Sequence, residues 1–576
     1  MQIRPIKLPE QKDIGQLILI FFTLLISAAW IQVLQINIDI NTGDPIFLEA
    51  FYKDIFINHN PLHGWLVPKS PYYFPDVLVY CIFRFLAGDY ALATYFYSLF
   101  TYLIIVLTLN YILFKSIKKD PIKILANVSI WGLVLLFATS ISVWSGPQNL
   151  FGVINYGSSG PLLQPLFHSG AVLNGVLVAY LWIKIVYTGR HRALNSILLT
   201  SFASISVASD LWIIPWTFSG LVVGTFYHVR LGKNSKQKKN FRIGVLSIFL
   251  GSIIGITLNS LMEKFKFIYF SNVEAGIPNQ SFDQSIEATF NLIKNSVLIS
   301  PAAWIMLLLS CVSAGYVFRS SHSDSKKSSS RHAISLEEKQ IQLVTKILLV
   351  VLVVAFLSTS IITIYKNLIS DAGQIRYFTG VFFLLWIYTG YFLITKKKTH
   401  QLLRLVLPLI LVICSSFSLN QINNFTALSI YGPRTNYPAN IYCLDQLAVK
   451  HNLTHGVGEY YFAKPTTVLS KENLVITQTT YNFDVYHWVS TYYYNFGSDS
   501  MQALPKFDFV LSDPYRPRYA EIQDIFGKAE SIETCGAWRV FLYTGDSGKK
   551  LNEVMRVKIN DFFMVLDDPR IETPLK

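Results

Sequence analysis

Long runs without charge set the terms for this chain. From Ile14 to Ile36 there is no Asp, Glu, Lys or Arg. In a bilayer every backbone polar group must be satisfied within the segment, so such a run is expected to be a helix that crosses the hydrocarbon. Ten further apolar runs follow, near 90–114, 124–144, 166–187, 194–209, 211–229, 243–262, 297–318, 347–365, 376–395 and 402–419. The composition agrees. Only 15% of the residues are charged and 52% are hydrophobic, with a mean hydropathy of +0.39, whereas soluble domains carry about 25% charge. The expected fold class is an α-helical polytopic membrane protein with about eleven spanning helices.

Lys and Arg in short loops orient such helices. With the N-terminus on the cytoplasmic side, segments 1–13, 115–123, 188–193, 230–242, 319–346 and 396–404 hold 25 Lys and Arg against 6 Asp and Glu. The opposite loops (37–89, 145–165, 209–210, 263–296 and 366–376) hold 8 against 12. The basic excess behind the pI near 9.2 is therefore topological, and no nucleic-acid partner is expected. The same count decides the status of Asp76–Gly88, which is short, apolar and carries Arg84. As a span it would put Lys115, Lys118, Lys119 and Lys123 outside, so it is read as an amphipathic juxtamembrane helix in the outer interface. The first apolar run is too long for a cleaved signal peptide and lacks a small-residue cleavage site, so it is expected to stay as a helix.

The membrane domain is assigned to 1–419. It contains the exported loop 37–89 and a polar, Ser-rich cytoplasmic linker within 319–346. From 420 to 576 the texture changes. Short β-rich runs (Gly456–Tyr460, Thr466–Ser470, Leu474–Thr480, Phe507–Ser512, Trp538–Thr544) alternate with helical stretches at Asn440–His451 and Tyr519–Phe526. This pattern predicts an α/β domain with a mainly parallel sheet. An odd number of crossings places it outside, with loop 37–89. Cys443 and Cys535 fall in this part and would pair in an oxidising compartment, or stay as two buried thiols. Tyr460, Tyr461, Tyr481, Tyr486, Trp488, Tyr492, Tyr493 and Tyr494 make it rich in rings, which serve a core, a membrane interface or a sugar contact.

The polar residues that matter crowd the outer face. Asp39, Asp44, Glu49 and Asp54 follow directly on the first run, where carboxylates are costly unless they have a task. Asp44 precedes Pro45 and suits a helix cap, or a partly desolvated general base, and one residue can do both. Asp76 begins the amphipathic helix. His168 opens the fourth run and Asp210 sits in the turn of Asp-Leu-Trp-Ile-Ile-Pro-Trp; an interfacial histidine and a solvated turn residue are the plain readings. Arg376 opens the tenth run at its outer end, where it can snorkel to headgroups or clamp a phosphate, and Lys366 is a second cation nearby. His59 and His63 are spaced as a metal pair, but Pro61 breaks the helix that would align them. The clustered carboxylates permit a divalent cation without requiring one. No Walker loop, Cys-x-x-Cys, His-Glu-x-x-His or Gly-x-Ser-x-Gly occurs, which leaves ATP-driven transport, structural zinc and α/β-hydrolase chemistry without support.

Gly43-Asp44-Pro-Ile-Phe, Tyr72-Tyr73-Phe74-Pro75-Asp76, the run from Asp89 to Phe114 ending at Lys115, and Arg376-Tyr377 together resemble the GT-C superfamily of integral-membrane glycosyltransferases. That superfamily includes protein O-mannosyltransferases and lipid A transferases. Pro45 stands where these often have an acid, Phe-Pro-Asp replaces a Pro-Pro entry, and no Trp-Trp-Asp motif is present. The resemblance implies an inverting transferase with Asp44 as base. Its donor would be a polyprenyl-phosphate sugar with the phosphate at Arg376 and Lys366, and its acceptor a glycan, lipid or protein. Asp39, Glu49, Asp76, His168 and Asp210 would support the site. The expected location is a bacterial inner membrane with the C-terminal domain periplasmic. The competing expectation is a non-enzymatic protein, such as a lipid-linked glycan transporter or a polysaccharide-assembly partner.

Overall fold

The computed structural model describes residues 11–37, 46–62, 65–114, 122–132, 168–189, 191–231, 235–265, 267–270, 281–299, 336–369, 377–395, 437–480, 482–491, 504–512 and 519–566, together with 308, 311, 312, 314 and 315. It is mostly helical, with a small sheet region near the C-terminus.

After the first helix, α1 (Gln11–Asn37), come a short α2 (Phe47–Tyr52) and then α3 (Leu78–Ala87). The segment read as amphipathic is indeed helical, and it exposes Leu78, Ile82, Phe85 and Leu86 while burying Tyr80. An apolar face left open to solvent in this way suits a bilayer interface. α4 (Tyr90–Phe114) starts where Asp89 Oδ1 accepts the Leu92 amide at 2.9 Å, as an N-cap does. Then come α5 (Ser169–Ile183), α6 (Arg192–Ser209), α7 (Ser219–Leu231), α8 (Ser235–Lys264), α9 (Phe282–Ile299), α10 (Leu336–Tyr365) and α11 (Thr379–Thr395).

Among the described residues, four helical stretches are long and apolar enough to cross a membrane: Tyr90–Leu113, Ser169–Thr188, Ser235–Lys264 and Ile341–Tyr365. Shorter apolar helices lie at Ile14–Ala28, Ile122–Gly132, Ile214–Phe226 and Thr379–Phe392. These helices are compatible with a membrane protein. The expected runs at 133–144 and 402–419, most of 297–318, and most of the 319–346 linker lie outside the described residues. Packing between α6 and α8 depends on Gly251 and Gly255, four apart on α8. A Cβ at either would come within 2.6 Å of the Thr200 carbonyl or 2.5 Å of the Ser204 carbonyl. Where lipid removes the hydrophobic driving force, such close approach is what holds two helices together.

The C-terminal region begins with α12 (Ala439–His451), and β3 (His455–Glu459), α13 (Tyr460–Leu469) and β4 (Val475–Thr479) form a parallel crossover. β6 (Phe509–Ser512) runs parallel to β3 on its other side. α14 (Tyr519–Phe526) leads to the antiparallel pair β7 (Ser531–Cys535) and β8 (Trp538–Leu542), and α15 (Gly548–Leu566) closes the unit. The order β4-β3-β6-β8-β7 is mixed, because β8 meets β6 antiparallel; the expected sheet was mainly parallel. Both faces are covered. Val457, Val510 and Phe541 pack with Phe526, Met555 and Ile559, while Phe509, Leu511 and Val540 pack with Leu444, Ala448 and Ala463. The expected strand at Thr466–Ser470 is the second half of α13. Its β-branched Thr466, Thr467 and Val468 favour a strand locally, but their burial beside β3 and β4 overrides that preference. Cys443 and Cys535 form a disulfide, with Cα atoms 5.4 Å apart, tying α12 to β7.

A second sheet joins the two parts. β1 (Trp65–Val67), between α2 and α3, pairs in parallel with β2 (Tyr269–Phe270), just after α8, and antiparallel with β5 (Ser490–Thr491) of the C-terminal region. Beside it, Lys53 Nζ donates to the Val468 carbonyl at 3.0 Å. Burial pushes the Lys53 ammonium below its ordinary pKa, against the opposing pull of Glu49 and Asp445. The C-terminal domain thus rests on loop 46–89.

Candidate functional site

The helix ends that charge counting puts outside meet at one end of the bundle. The Tyr72 amide donates to the Ser209 carbonyl at 3.0 Å, and Asn174 reaches the Phe74 carbonyl at 3.0 Å. Trp216 Nε1 donates to the Tyr377 carbonyl at 3.1 Å, and Asn259 reaches Ala208 at 2.9 Å. Loop 65–89, the start of α5, the α6–α7 turn, the end of α8 and the start of α11 therefore share one surface.

Within it the carboxylates differ in how fully they are engaged. Glu49, on α2, receives Arg84 from α3 as a two-pronged pair, at 2.8 Å to Oε2 and 2.9 Å to Oε1, and Tyr80 Oη donates to Oε2 at 2.9 Å. The fork of the guanidinium matches both carboxylate oxygens, so Glu49 fastens the two loop helices together. Asp54 is fully enclosed. Asn60 donates to its Oδ1 and Trp65 Nε1 to its Oδ2, each at 2.7 Å. Burial raises its pKa to about 6, against the lowering effect of these two donors.

Asp76 serves a third clasp. Its Oδ1 accepts Tyr97 Oη at 2.7 Å and Ser169 Oγ at 3.2 Å. It lies against the first turn of α5 so closely that a Cβ on Gly170 would stand 2.0 Å from its Oδ2. A carboxylate there meets the positive end of the helix. Gly170 is thus fixed by the carboxylate that faces it.

His168 caps the same helix in a left-handed conformation, with φ 64°. Its Nδ1 lies 2.6 Å from Asp210 Oδ2, with both side chains almost wholly buried. An ionised carboxylate only accepts, so Nδ1 carries the hydrogen of this bond. Asp210 Oδ1 in turn accepts Ser70 Oγ at 3.1 Å and the Trp212 amide at 3.0 Å. Four rings enclose the imidazole: Tyr72 at 5.6 Å, Trp216 at 5.7 Å, Tyr377 at 5.9 Å and Trp212 at 6.1 Å between centroids. Tyr72 is also left-handed, with φ 58°. Two such residues in contact store backbone strain of about 1–3 kcal/mol each, a trait that gathers at functional sites.

Directly below lies an apolar cavity of about 390 Å³ between α4, α5, α7, α10 and α11. Val172, one turn after His168, lines it, as do Gly175, Trp216, Thr217, Val351 and Phe383. Trp216 belongs both to the ring enclosure and to the cavity wall.

Of the residues expected from sequence, Glu49, Asp76, His168 and Asp210 are thus buried at this end, and His168 and Asp210 form a pair. Lys366 is exposed at the end of α10, 5.7 Å from its neighbour's ring at Tyr365. Asp39, Asp44 and Arg376 lie outside the described residues, as does His63. Their neighbours are placed. Ile46, two residues after Asp44, is buried in one cluster with Trp65, Tyr80 and Tyr97. Tyr377, next after Arg376, stacks on Trp212 at 5.0 Å and 20°. Among the described residues, no group of three or more His, Cys, Asp or Glu side chains is arranged to hold a metal ion. In the C-terminal domain Tyr460 meets Tyr461 at 5.2 Å and Tyr486 at 5.6 Å, and Tyr486 stacks on Trp488 at 6.5 Å; Tyr481 and Tyr492–Tyr494 lie outside the described residues.

Sequence reasoning missed Tyr72, Tyr97, Ser169, Trp212 and Trp216 as members of the site. The last two had a signal: they follow Asp210 at i+2 and i+6, four apart, at the start of a helix. Tyr97 and Ser169 had none beyond a hydroxyl within an apolar run.

No protein-family model matches the chain, and no curated protein or solved structure matches it.

Proposed function

We propose that the protein is an integral-membrane glycosyltransferase of the GT-C kind. It moves a sugar from a polyprenyl-phosphate donor to an acceptor hydroxyl on the exported face of a bacterial inner membrane. Asp44 takes the proton of the acceptor hydroxyl as its oxygen forms a bond to the sugar C1. The bond from C1 to the phosphate oxygen breaks with inversion, and the prenyl phosphate leaves as an anion beside Arg376 and Lys366. Fixed positive groups around a departing phosphate are a large catalytic term where water is sparse.

The observation that carries this reading is the convergence at one end. The chain entering α2 just after Asp44, the His168–Asp210 pair and the chain entering α11 just after Arg376 share a surface on which the C-terminal domain rests. The apolar cavity beneath suits a hydrocarbon chain. The rival, a lipid-linked glycan transporter, draws on the same cavity. Transporters place polar groups at midplane, and this lining is apolar apart from the hydroxyls of Tyr187, Thr217 and Thr225.

The test is to make Asp44→Asn and Arg376→Ala, verify insertion, and assay surface glycans and sugar transfer in membranes. Each variant is expected to lose at least about a hundredfold in rate. Full transfer in both would remove the assignment.

A further inference from the structure

The end of the bundle opposite the candidate site is built without acids. From Pro121 to Met262 the chain has one carboxylate, Asp210, and it lies at the candidate site. α6 starts from Arg192 and α8 from Ser235-Lys-Gln-Lys-Lys, and both run toward the site, about 26 Å away along α6. Lys236, Lys238, Lys239 and Arg242 are exposed at the start of α8. Asn240, buried among them, accepts Arg192 at 3.2 Å and holds the guanidinium of α6 against α8. Gly189 closes on the same place, where a Cβ would stand 3.0 Å from Asn240 Nδ2 and 3.8 Å from Lys236 Cε.

These five cations meet no carboxylate among the described residues. Elsewhere Arg84, Lys450, Lys506, Lys549 and Lys558 each meet one. Neither α6 nor α8 has an acid in its first turn, so the helix dipoles add to the positive charge instead of offsetting it. Like charges gathered in this way repel one another unless an anion comes from outside. Basic loops by themselves set the orientation of helices. Orientation does not require the arginine of one helix to be seated on a buried asparagine of the next.

The surface beside the cations narrows the anion. Lys239, Arg242, Leu246, Phe249 and Ile253 recur every three or four residues and form one exposed stripe along α8. From Arg242 to Ile253 the stripe measures about 16 Å, one leaflet's share of a hydrocarbon core about 30 Å thick. Leu194, Ile197 and Leu198 extend the exposed apolar surface on α6, just beyond Arg192. Cations at the foot of an apolar stripe match a lipid with a negative head and long chains. A soluble anion would engage the cations and leave the stripe uncovered.

We propose that the seam between the starts of α6 and α8 binds an anionic phospholipid. Its head is held by Arg192 and the cations of α8, and an acyl chain lies along Leu246, Phe249 and Ile253. Asn240 is a positioning residue that keeps Arg192 at the seam. The site stands apart from the sugar chemistry at the other end and does not depend on it.

The test is lipid binding to the full chain in neutral-detergent micelles, read by native mass spectrometry. The probes are dioleoylphosphatidylglycerol, dioleoylphosphatidylcholine and glycerol 3-phosphate. Wild type is expected to bind the phosphatidylglycerol at least about tenfold more tightly than the phosphatidylcholine. Arg192→Gln and Arg242→Gln should each lower that preference and together remove most of it. Asn240→Ala should weaken the phosphatidylglycerol less, and leave the phosphatidylcholine unchanged. Phe249→Ser should weaken both lipids alike. Lys184→Gln is the control for net charge: its ammonium lies at the same end, but over the rings of Tyr111 and Tyr180 at 5.2 and 5.3 Å. It should leave the preference intact. Equal binding of the two lipids would overturn the proposal. So would a loss in Lys184→Gln as large as in Arg192→Gln, which would mean a diffuse field. Displacement of the lipid by equimolar glycerol 3-phosphate would reduce the seam to an ion site and would overturn it as well.

Discussion

Two stations at one end of the helix bundle use the same chemistry to different ends. In the loop, Glu49 and Asp54 are met on both oxygens by protein donors. At the start of α5, Asp210 is met as fully, but one of its partners is His168, whose ring it holds through Nδ1. A carboxylate held on both oxygens by buried protein donors is fastening. A carboxylate that orients an imidazole through one nitrogen sets the direction of the other. The acid-rich loop that dominates the sequence therefore owes much of its acidity to construction, whereas the histidine, a single residue in an apolar stretch, is oriented by one carboxylate.

The largest effect should come from breaking the loop. Glu49→Ala strands the Arg84 guanidinium and the Tyr80 hydroxyl in a buried setting. It should cost about 3–5 kcal/mol in chemical unfolding of the purified protein in micelles. A loss below about 1 kcal/mol would mean that the pair is solvated and the distinction between the stations fails.

A smaller effect, with a signature in pH, belongs to Asp54. Its folded pKa is raised from 3.8 to about 6 by burial, so the native state holds the proton more tightly than the unfolded chain. The resulting stability is fully present below about pH 4 and is lost as pH rises through about 6, on the order of 2–3 kcal/mol in total. Melting of the wild type between pH 4 and 7 should follow that slope, and Asp54→Asn should flatten it. A slope unaltered by the substitution would assign it to other groups.

The smallest change in stability is expected at His168. His168→Gln should shift unfolding by less than about 1 kcal/mol, because the amide can keep a bond to Asp210 while Nε2 supports nothing. A cost near that of Glu49→Ala would place His168 among the fasteners.

The sequence carried the long-range order of the molecule better than its contacts. Charge asymmetry alone predicted that Asp76, His168, Asp210 and the C-terminal domain share a face, and the structure brings them to one end. Local signals placed some elements well: Tyr519–Phe526 is helical as expected. Local signals failed where tertiary burial outweighed propensity, as at Thr466–Val468, and where a strand was short and polar, as in Ser-Ile-Glu-Thr-Cys of β7. Partners across distance were not legible. Glu49 finds Arg84 through the packing of α2 on α3, and His168 finds Asp210, 42 residues on, through an antiparallel helix pair. Neither spacing announces itself, since a helix end can face any neighbour whose end lies at the same height. Asp44 and Arg376, the pair on which the chemistry was staked, lie outside the described residues.

The small sheet that joins β2, β1 and β5 has a consequence for how the chain matures. Its central strand ends at Val67, while the partner on one edge, Ser490–Thr491, is made roughly 420 residues later. At translation rates of about 5–20 residues per second, that edge stays vacant for tens of seconds after β1 has emerged. An unpaired strand edge waiting beside a membrane is open to the wrong neighbour. The last domain is therefore also the clasp that ends this exposure, and a chain truncated before Ser490 should be captured by chaperones or proteases even though helices α1 to α13 are present.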